Sequence, residues 1–201
     1  IVPPSLSALT DDEIRERRVR INVKIRGKGC PPPVDSFPQA GLPERITTIL
    51  QTQKITAPFP IQQQCLPALM AGRDVIGIAK TGSGKTLAYT LPLLRHILAQ
   101  PPLAPSESGP LSIILAPARE LAIQIHDVAK QYAKNLNIRC IAVYGGAGIA
   151  DQIADVKRGA EIIVATPGRL IDILTMRSGK VLSLSRVSYV VMDEADRMFD
   201  M

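Results

Sequence analysis

The stretch DVIGIAKTGSGKT, residues 74–86, decides how the rest of the chain is read. Its first half, residues 74–79, is a short apolar run rich in β-branched residues, the pattern of a strand buried on both faces. It passes directly into Ala79-Lys80-Thr81-Gly82-Ser83-Gly84-Lys85-Thr86 and then into a segment with helical spacing that reaches about Leu98. Apart from Ala79 in place of a leading Gly, this fits a Walker A phosphate loop. Glycines there let successive backbone N–H groups point inward at a triphosphate, and the helix that follows offers the positive end of its dipole. Lys85 would reach the β- and γ-phosphates and Thr86 would place its hydroxyl on Mg²⁺, with Thr81, Gly82, Ser83 and Gly84 contributing mainly backbone. The bland alternative is a glycine-rich turn without a ligand, and the strand before and helix after argue against it.

Four more apolar runs follow at 111–116 (LSIILA), 138–144 (IRCIAVY), 161–165 (EIIVA) and 189–192 (YVVM), separated by segments with helical periodicity. Alternation of this kind predicts an α/β fold, a five-stranded parallel sheet with helices on both faces. Ahead of the first run, Pro43 opens an expected helix through Gln53, and a second runs from about Pro60 to Ala71 with Gly72 as its stop. Residues 100–110 hold four prolines and read as a long loop, and residues 30–35 as a proline-rich joint. Ligands in such open sheets sit beyond the carboxyl ends of the strands, so the segments after each strand should carry the chemistry.

With 201 residues, 46% hydrophobic and 21% charged, the chain is too apolar for disorder and suited to one core. Aromatics make up 3% with no Trp, so base stacking is not its main means of grip. No apolar run approaches the roughly 20 residues of a membrane span, and a soluble protein with no membrane partner and no export signal is expected. Cys30, Cys65 and Cys140 are widely spaced and form no metal-ligand pair; they read as reduced thiols, Cys65 and Cys140 as core residues. Between Ile14 and Cys30 lie seven basic residues and the single acid Glu16, 7 − 1 = +6, equal to the net charge of the whole chain. Such an arm either lies along phosphate or an acidic partner or is a solvated face, and the residues leave both open.

The last run delivers Asp193-Glu194-Ala195-Asp196. Adjacent carboxylates after a buried strand fit a Walker B element, with Asp193 holding Mg²⁺ through water and Glu194 orienting the attacking water, and acids that merely cap a helix are the alternative. Lys85, Asp193 and Glu194 are thus the candidate catalytic residues, with Thr86 and Asp193 on the metal.

These two elements together resemble the DEAD-box RNA helicases, and further motifs of that family stand in order. Pro58-Phe59-Pro60-Ile61-Gln62 is similar to the glutamine motif, with Phe37 at the isolated upstream aromatic position. Pro117-Ala118-Arg119-Glu120-Leu121-Ala122 looks like motif Ia, Gly145-Gly146 like the double glycine, and Thr166-Pro167-Gly168-Arg169 like motif Ib. The resemblance implies a RecA-like P-loop lobe, the first of two, over residues 37–201, preceded by a basic extension and joint over 1–36. It implies that Gln62 reads the adenine edge of ATP and that Phe37 packs on the base. It implies RNA contacts from Pro117, Arg119, Glu120, Gly145, Gly146, Thr166, Gly168 and Arg169 that carry no sequence preference, and a supporting role for Asp196.

Ile55, Lys54, Phe59 and Ala118 depart from the family's usual aromatic, glycine and two threonines at those positions. His96 and His126 match no catalytic position, so helix-face or partly buried roles are expected. Within the family, the strings at 27–31, 157–164 and 196–201 look most like the Prp-five type of pre-mRNA splicing ATPase. That likeness implies a monomer in the nucleus, acting with splicing factors and the small nuclear ribonucleoprotein at the intron branch site. A Ser-Ala-Thr motif and a second RecA-like lobe with arginine fingers are expected after Met201, and without them these residues should bind adenine nucleotide weakly and hydrolyse it very slowly. The rival of another class is a recruitment module whose basic arm binds a ribonucleoprotein while hydrolysis is incidental. A GTP-binding switch is set aside because no Asn-Lys-x-Asp guanine reader is present.

Overall fold

The computed structural model describes residues 4–104, 107, 109–176 and 181–200, so part of the expected loop at 100–110 lies outside the described residues. The chain divides into two compact units, residues 1–95 and 96–201.

The first unit is helical: α1 (Pro4–Ser7), α2 (Asp11–Arg20), α3 (Glu44–Thr52), α4 (Pro60–Met70) and α5 (Lys85–Leu98), the last running on into the second unit. Thr10 and Glu13 form a capping box at the start of α2, the Thr10 N–H donating to Glu13 Oε2 at 2.7 Å. That bond, with the Thr10 hydroxyl, holds the Glu13 carboxyl below its ordinary range. No residue of α2 is buried, so apolar packing does not hold it. Its side chains do. Arg17 and Arg20 both pair with Asp35, at 2.8 and 2.9 Å. Arg18 donates to Gln64 Oε1 at 3.0 Å and to the carbonyls of Cys30 and Pro31. The buried Gln64 returns a bond to the Pro31 carbonyl at 2.9 Å, tying arm and joint to α4. Helix α4 begins with Pro60 at its first position and is followed by Gly72 at φ +74°, the stop expected from the sequence.

The second unit holds a parallel sheet of β1 (Ser112–Leu115), β2 (Cys140–Val143), β3 (Ile162–Ala165) and β4 (Tyr189–Met192) in the order β2-β3-β1-β4. Ile113 stands opposite Ile163 on one side and Val190 on the other. Crossovers are made by α6 (Arg119–Ala133), α7 (Ile149–Lys157) and α8 (Pro167–Thr175), and α9 (Ala195–Phe199) follows β4. Ile113, Ile141, Val143, Ile163 and Ala165 share one core with Val156, Leu170 and Ile173 of α7 and α8. Ile114, Cys140, Ile162 and Val164 alternate to the opposite face and are buried as well, while α6 packs on β2 and β3. Among the described residues no helix is long and apolar enough to cross a membrane.

One expectation is corrected. Residues 74–79 form no strand, so among the described residues the sheet has four strands where five were expected. Gly77 lies against α4, where an added Cβ would meet Cys65 Sγ at 3.7 Å and Ile61 Cδ1 at 3.8 Å. Ile76 and Ile78 then face outward, 93% and 91% exposed. A strand is defined by its hydrogen-bonded neighbour, which composition does not supply, and the Ala79 carbonyl is taken by the Lys85 ammonium instead.

Candidate functional site

In the first unit the glutamine motif and the phosphate loop meet through one carboxamide. Gln62, 1% exposed, accepts the Phe59 N–H on Oε1 at 2.9 Å and donates from Nε2 to the Gly84 carbonyl at 2.9 Å. A carboxamide has two donors and two lone pairs, so each end keeps one more bond to offer. Gly82 and Gly84 adopt φ of +78° and +85°. A Cβ on Gly84 would sit 2.5 Å from Gln62 Nε2 and 2.7 Å from the Phe59 ring, so glycine is required there by backbone shape and by space. The Lys85 ammonium donates to the Ala79 carbonyl and, at 3.0 Å, to that of Lys80. Ser83 Oγ is out of solvent with no hydrogen-bond partner among the described residues. Loop amides, an ammonium and an orphaned hydroxyl suit a phosphate. Thr86 stands in the first turn of α5, where the helix dipole is positive.

Phe37 is buried at the head of the short turn Pro38–Ala40, so its ring belongs to the core of this unit. Phe59 is the aromatic left open, 56% exposed, its ring beside Gly84. In the sequence Phe59 stands within the string similar to the glutamine motif, at the place of a threonine. The signal that could have found it is its place one residue before the helix that carries Gln62.

In the second unit the three loops after β1, β2 and β3 interlock. Arg119 Nη1 donates to the Gly146 carbonyl at 3.1 Å, and its guanidinium lies 5.2 Å from the centre of the Tyr144 ring. Arg169 Nη1 donates to the Ala147 carbonyl at 3.1 Å, and Asp172 stands 3.7 Å from its Nε. With its side chain only 13% exposed, Arg169 is chiefly a brace for the glycine turn, while Arg119, Glu120 and Gly168 are open. Pro117 and Thr166 are half-buried; Thr166 is the N-cap of α8 with Pro167 first in the helix, and its N–H is held by the Val143 carbonyl at 2.9 Å. Gly145 and Gly146 have room around them except for Arg119, 3.1 Å from a Cβ built on Gly146.

The acidic element follows β4. Asp193 is joined to the sheet by its N–H on the Leu115 carbonyl at 2.9 Å, and its Oδ1 accepts the Glu194 N–H at 3.0 Å. Glu194 caps α9 with a left-handed backbone at φ +50°, and its Oε2 pairs with Arg197 at 2.8 Å. Asp196 sits in the first turn of α9. Among the described residues no three His, Cys, Asp or Glu groups converge to hold a metal. The Thr86 hydroxyl in the first unit and the Asp193 carboxylate in the second are each hard oxygen donors of the kind Mg²⁺ takes.

The remaining candidates have structural places. His96 Nε2 lies 2.8 Å from Ser188 Oγ, and His126 faces the Cys140 carbonyl and the Asp127 carboxylate. Cys65 and Cys140 are free and buried, and burial pushes their thiols up to about 11 and about 12.

Known proteins are similar to this chain. The RNA helicase Prp28 from Chaetomium thermophilum, in a crystal structure bound to ADP, superposes with a TM-score of 0.87 at 38% identity, over 98% of this chain and 47% of that one. DEAD-box ATP-dependent RNA helicase 45 of Oryza sativa subsp. japonica is 52% identical over 98% of this chain and 21% of its own length. Probable ATP-dependent RNA helicase DDX46 of Homo sapiens is 51% identical over 98% and 19%. Pre-mRNA-processing ATP-dependent RNA helicase PRP5 of Gibberella zeae is 52% identical over 99% and 17%. The chain therefore spans about a fifth of the length of these curated relatives. Residues 59–201, from the exposed Phe59 through the acidic element, match the DEAD/DEAH box helicase family, and the chain belongs to it.

Proposed function

We propose that this chain is the N-terminal, ATP- and RNA-binding lobe of an ATP-dependent RNA helicase that acts in the nucleus in pre-mRNA splicing, with residues 37–201 as the lobe and 1–36 as its extension. The bridge from Gln62 to Gly84 carries the proposal, because it joins a group able to recognise adenine to a loop shaped for phosphate. Support for the splicing role comes from the name of one relative, the pre-mRNA-processing helicase PRP5.

Gln62 would offer its second donor and acceptor to the adenine edge while Phe59, rather than the buried Phe37, stands open to the base. Thr81, Gly82, Ser83, Gly84 and Lys85 would hold the phosphates, with Lys85 giving up its bonds to the Ala79 and Lys80 carbonyls. Thr86 and Asp193 would hold Mg²⁺, which when bound neutralises charge on the β- and γ-phosphates. Glu194 would orient the attacking water. Pro117, Arg119, Glu120, Gly145, Gly146, Thr166, Gly168 and Arg169 would present charge and backbone amides to the RNA sugar-phosphate chain, contacts that position a strand without reading its sequence. RNA, a second RecA-like lobe and splicing ribonucleoproteins are the proposed partners.

The test is RNA-stimulated phosphate release by the full-length protein with and without Lys85→Ala. Turnover is expected to fall about 100-fold or more in the variant, and undiminished turnover would refute the assignment.

A further inference from the structure

We propose that Gln152 and Tyr144 are positioning residues that preset the Arg119 guanidinium for phosphate, a role that rests on the RNA reading of these loops. Strand β2 lies at the edge of the sheet, so its outward backbone groups lack a strand neighbour. At Tyr144, one residue past the end of β2, Gln152 fills that place. Gln152 Oε1 accepts the Tyr144 N–H at 3.1 Å, and its Nε2 donates to the Tyr144 carbonyl at 3.0 Å. Both poles of one carboxamide thus close on both poles of one residue, as a paired strand would.

Gln152 is 8% exposed on α7, a helix whose Ile149, Ile153 and Val156 pack on the apolar core. A buried amide among such neighbours is costly unless fully bonded, and this one is bonded at both ends. The clamp closes a loop from residue 144 to residue 152 that contains the double glycine. With its backbone fixed, Tyr144 presents its ring 5.2 Å from Arg119 Cζ. The Gly146 carbonyl takes Arg119 Nη1 from another side. Gly146 holds φ +75°, and any Cβ there would crowd the same Nη1.

Arg119 is therefore braced by a ring and a carbonyl that Gln152 holds in register. A free arginine loses rotamer entropy when it binds a phosphate, and a braced one has lost most of it already. Blunting of the sheet edge alone would leave RNA binding untouched by these residues, so affinity for RNA separates the two roles.

The experiment measures binding of labelled oligouridylate to the full-length protein with a non-hydrolysable ATP analogue, for Arg119→Ala, Gln152→Leu, Tyr144→Leu, Tyr144→Phe and the double variant Tyr144→Leu/Arg119→Ala. Expected are losses of about tenfold for the first three, wild-type affinity for Tyr144→Phe, and no further loss in the double variant beyond Arg119→Ala. The slope of affinity against salt should fall by about one in Tyr144→Leu, as in Arg119→Ala, and ATP-analogue affinity should hold. Wild-type RNA affinity in Gln152→Leu and Tyr144→Leu alongside a loss in Arg119→Ala would overturn the positioning role and leave the RNA reading standing. Unchanged affinity in Arg119→Ala would overturn both. Should Gln152→Leu not fold, the Tyr144 variants and the double variant decide the matter, since Tyr144 is half-buried at the surface.

Discussion

The phosphate loop of the first unit and the three loops above the sheet of the second each gather cations and backbone amides, by opposite means. The phosphate loop does it locally: Lys85 bonds carbonyls five and six residues back, and the turns come from Gly82 and Gly84. The sheet loops do it at long range. Arg119 reaches 27 residues ahead to Gly146 and Arg169 reaches 22 back to Ala147. A local device is written in consecutive residues and survives as a motif, whereas a long-range one exists only once strands have been laid side by side.

Substitution at the two glycines gives the largest expected contrast. Gly84→Ala places a Cβ against Gln62 and Phe59 at a backbone angle that disfavours it, and should destabilise the first unit by about 2–3 kcal/mol and abolish nucleotide binding. Gly146→Ala meets only the far end of the Arg119 side chain, so about 1 kcal/mol and a weaker RNA affinity are expected. Thermal melting with ATP analogue and RNA titrations checks both, and equal effects would erase the distinction between the two regions.

Arg18→Ala tests whether long-range anchoring extends to the arm. Its loss leaves the Oε1 of the buried Gln64 without its donor, and a drop of about 1–3 kcal/mol in unfolding free energy is expected. Arg15→Ala, at an exposed pair with Asp12, should change stability by less than about 0.5 kcal/mol.

Much of this architecture was legible in the sequence. The helices after the phosphate loop, after Arg119 and after Gly148, and the runs that became β1 to β4, follow from apolar periodicity. Residues 74–79 misled because a strand's composition does not provide its partner. Arg18 with Gln64, 46 residues apart, and Gln152 with Tyr144 were illegible for the same reason: each is a polar contact between separate elements, fixed by packing. The arm's charge was visible, but not that Arg17, Arg18 and Arg20 are bound to the chain's own groups.

The smallest effect concerns the two buried thiols, one in each unit. Burial raises Cys65 to about 11 and Cys140 to about 12 from an ordinary 9.0, so the folded state keeps protons that the unfolded state releases. Their contribution to stability is intact below pH 9 and is lost as pH rises from there toward those values. At pH 8 an aromatic disulfide reagent should label the half-buried Cys30 first, with Cys65 and Cys140 reacting only on unfolding. Equal rates at all three would contradict the burial.

Glu194 bends its main chain into a shape that suits glycine far better than an acid. Swapping in glycine should make the protein tougher against heat while stripping it of the carboxylate proposed to orient water, so the strain held in this one turn and the chemistry proposed for it are removed together.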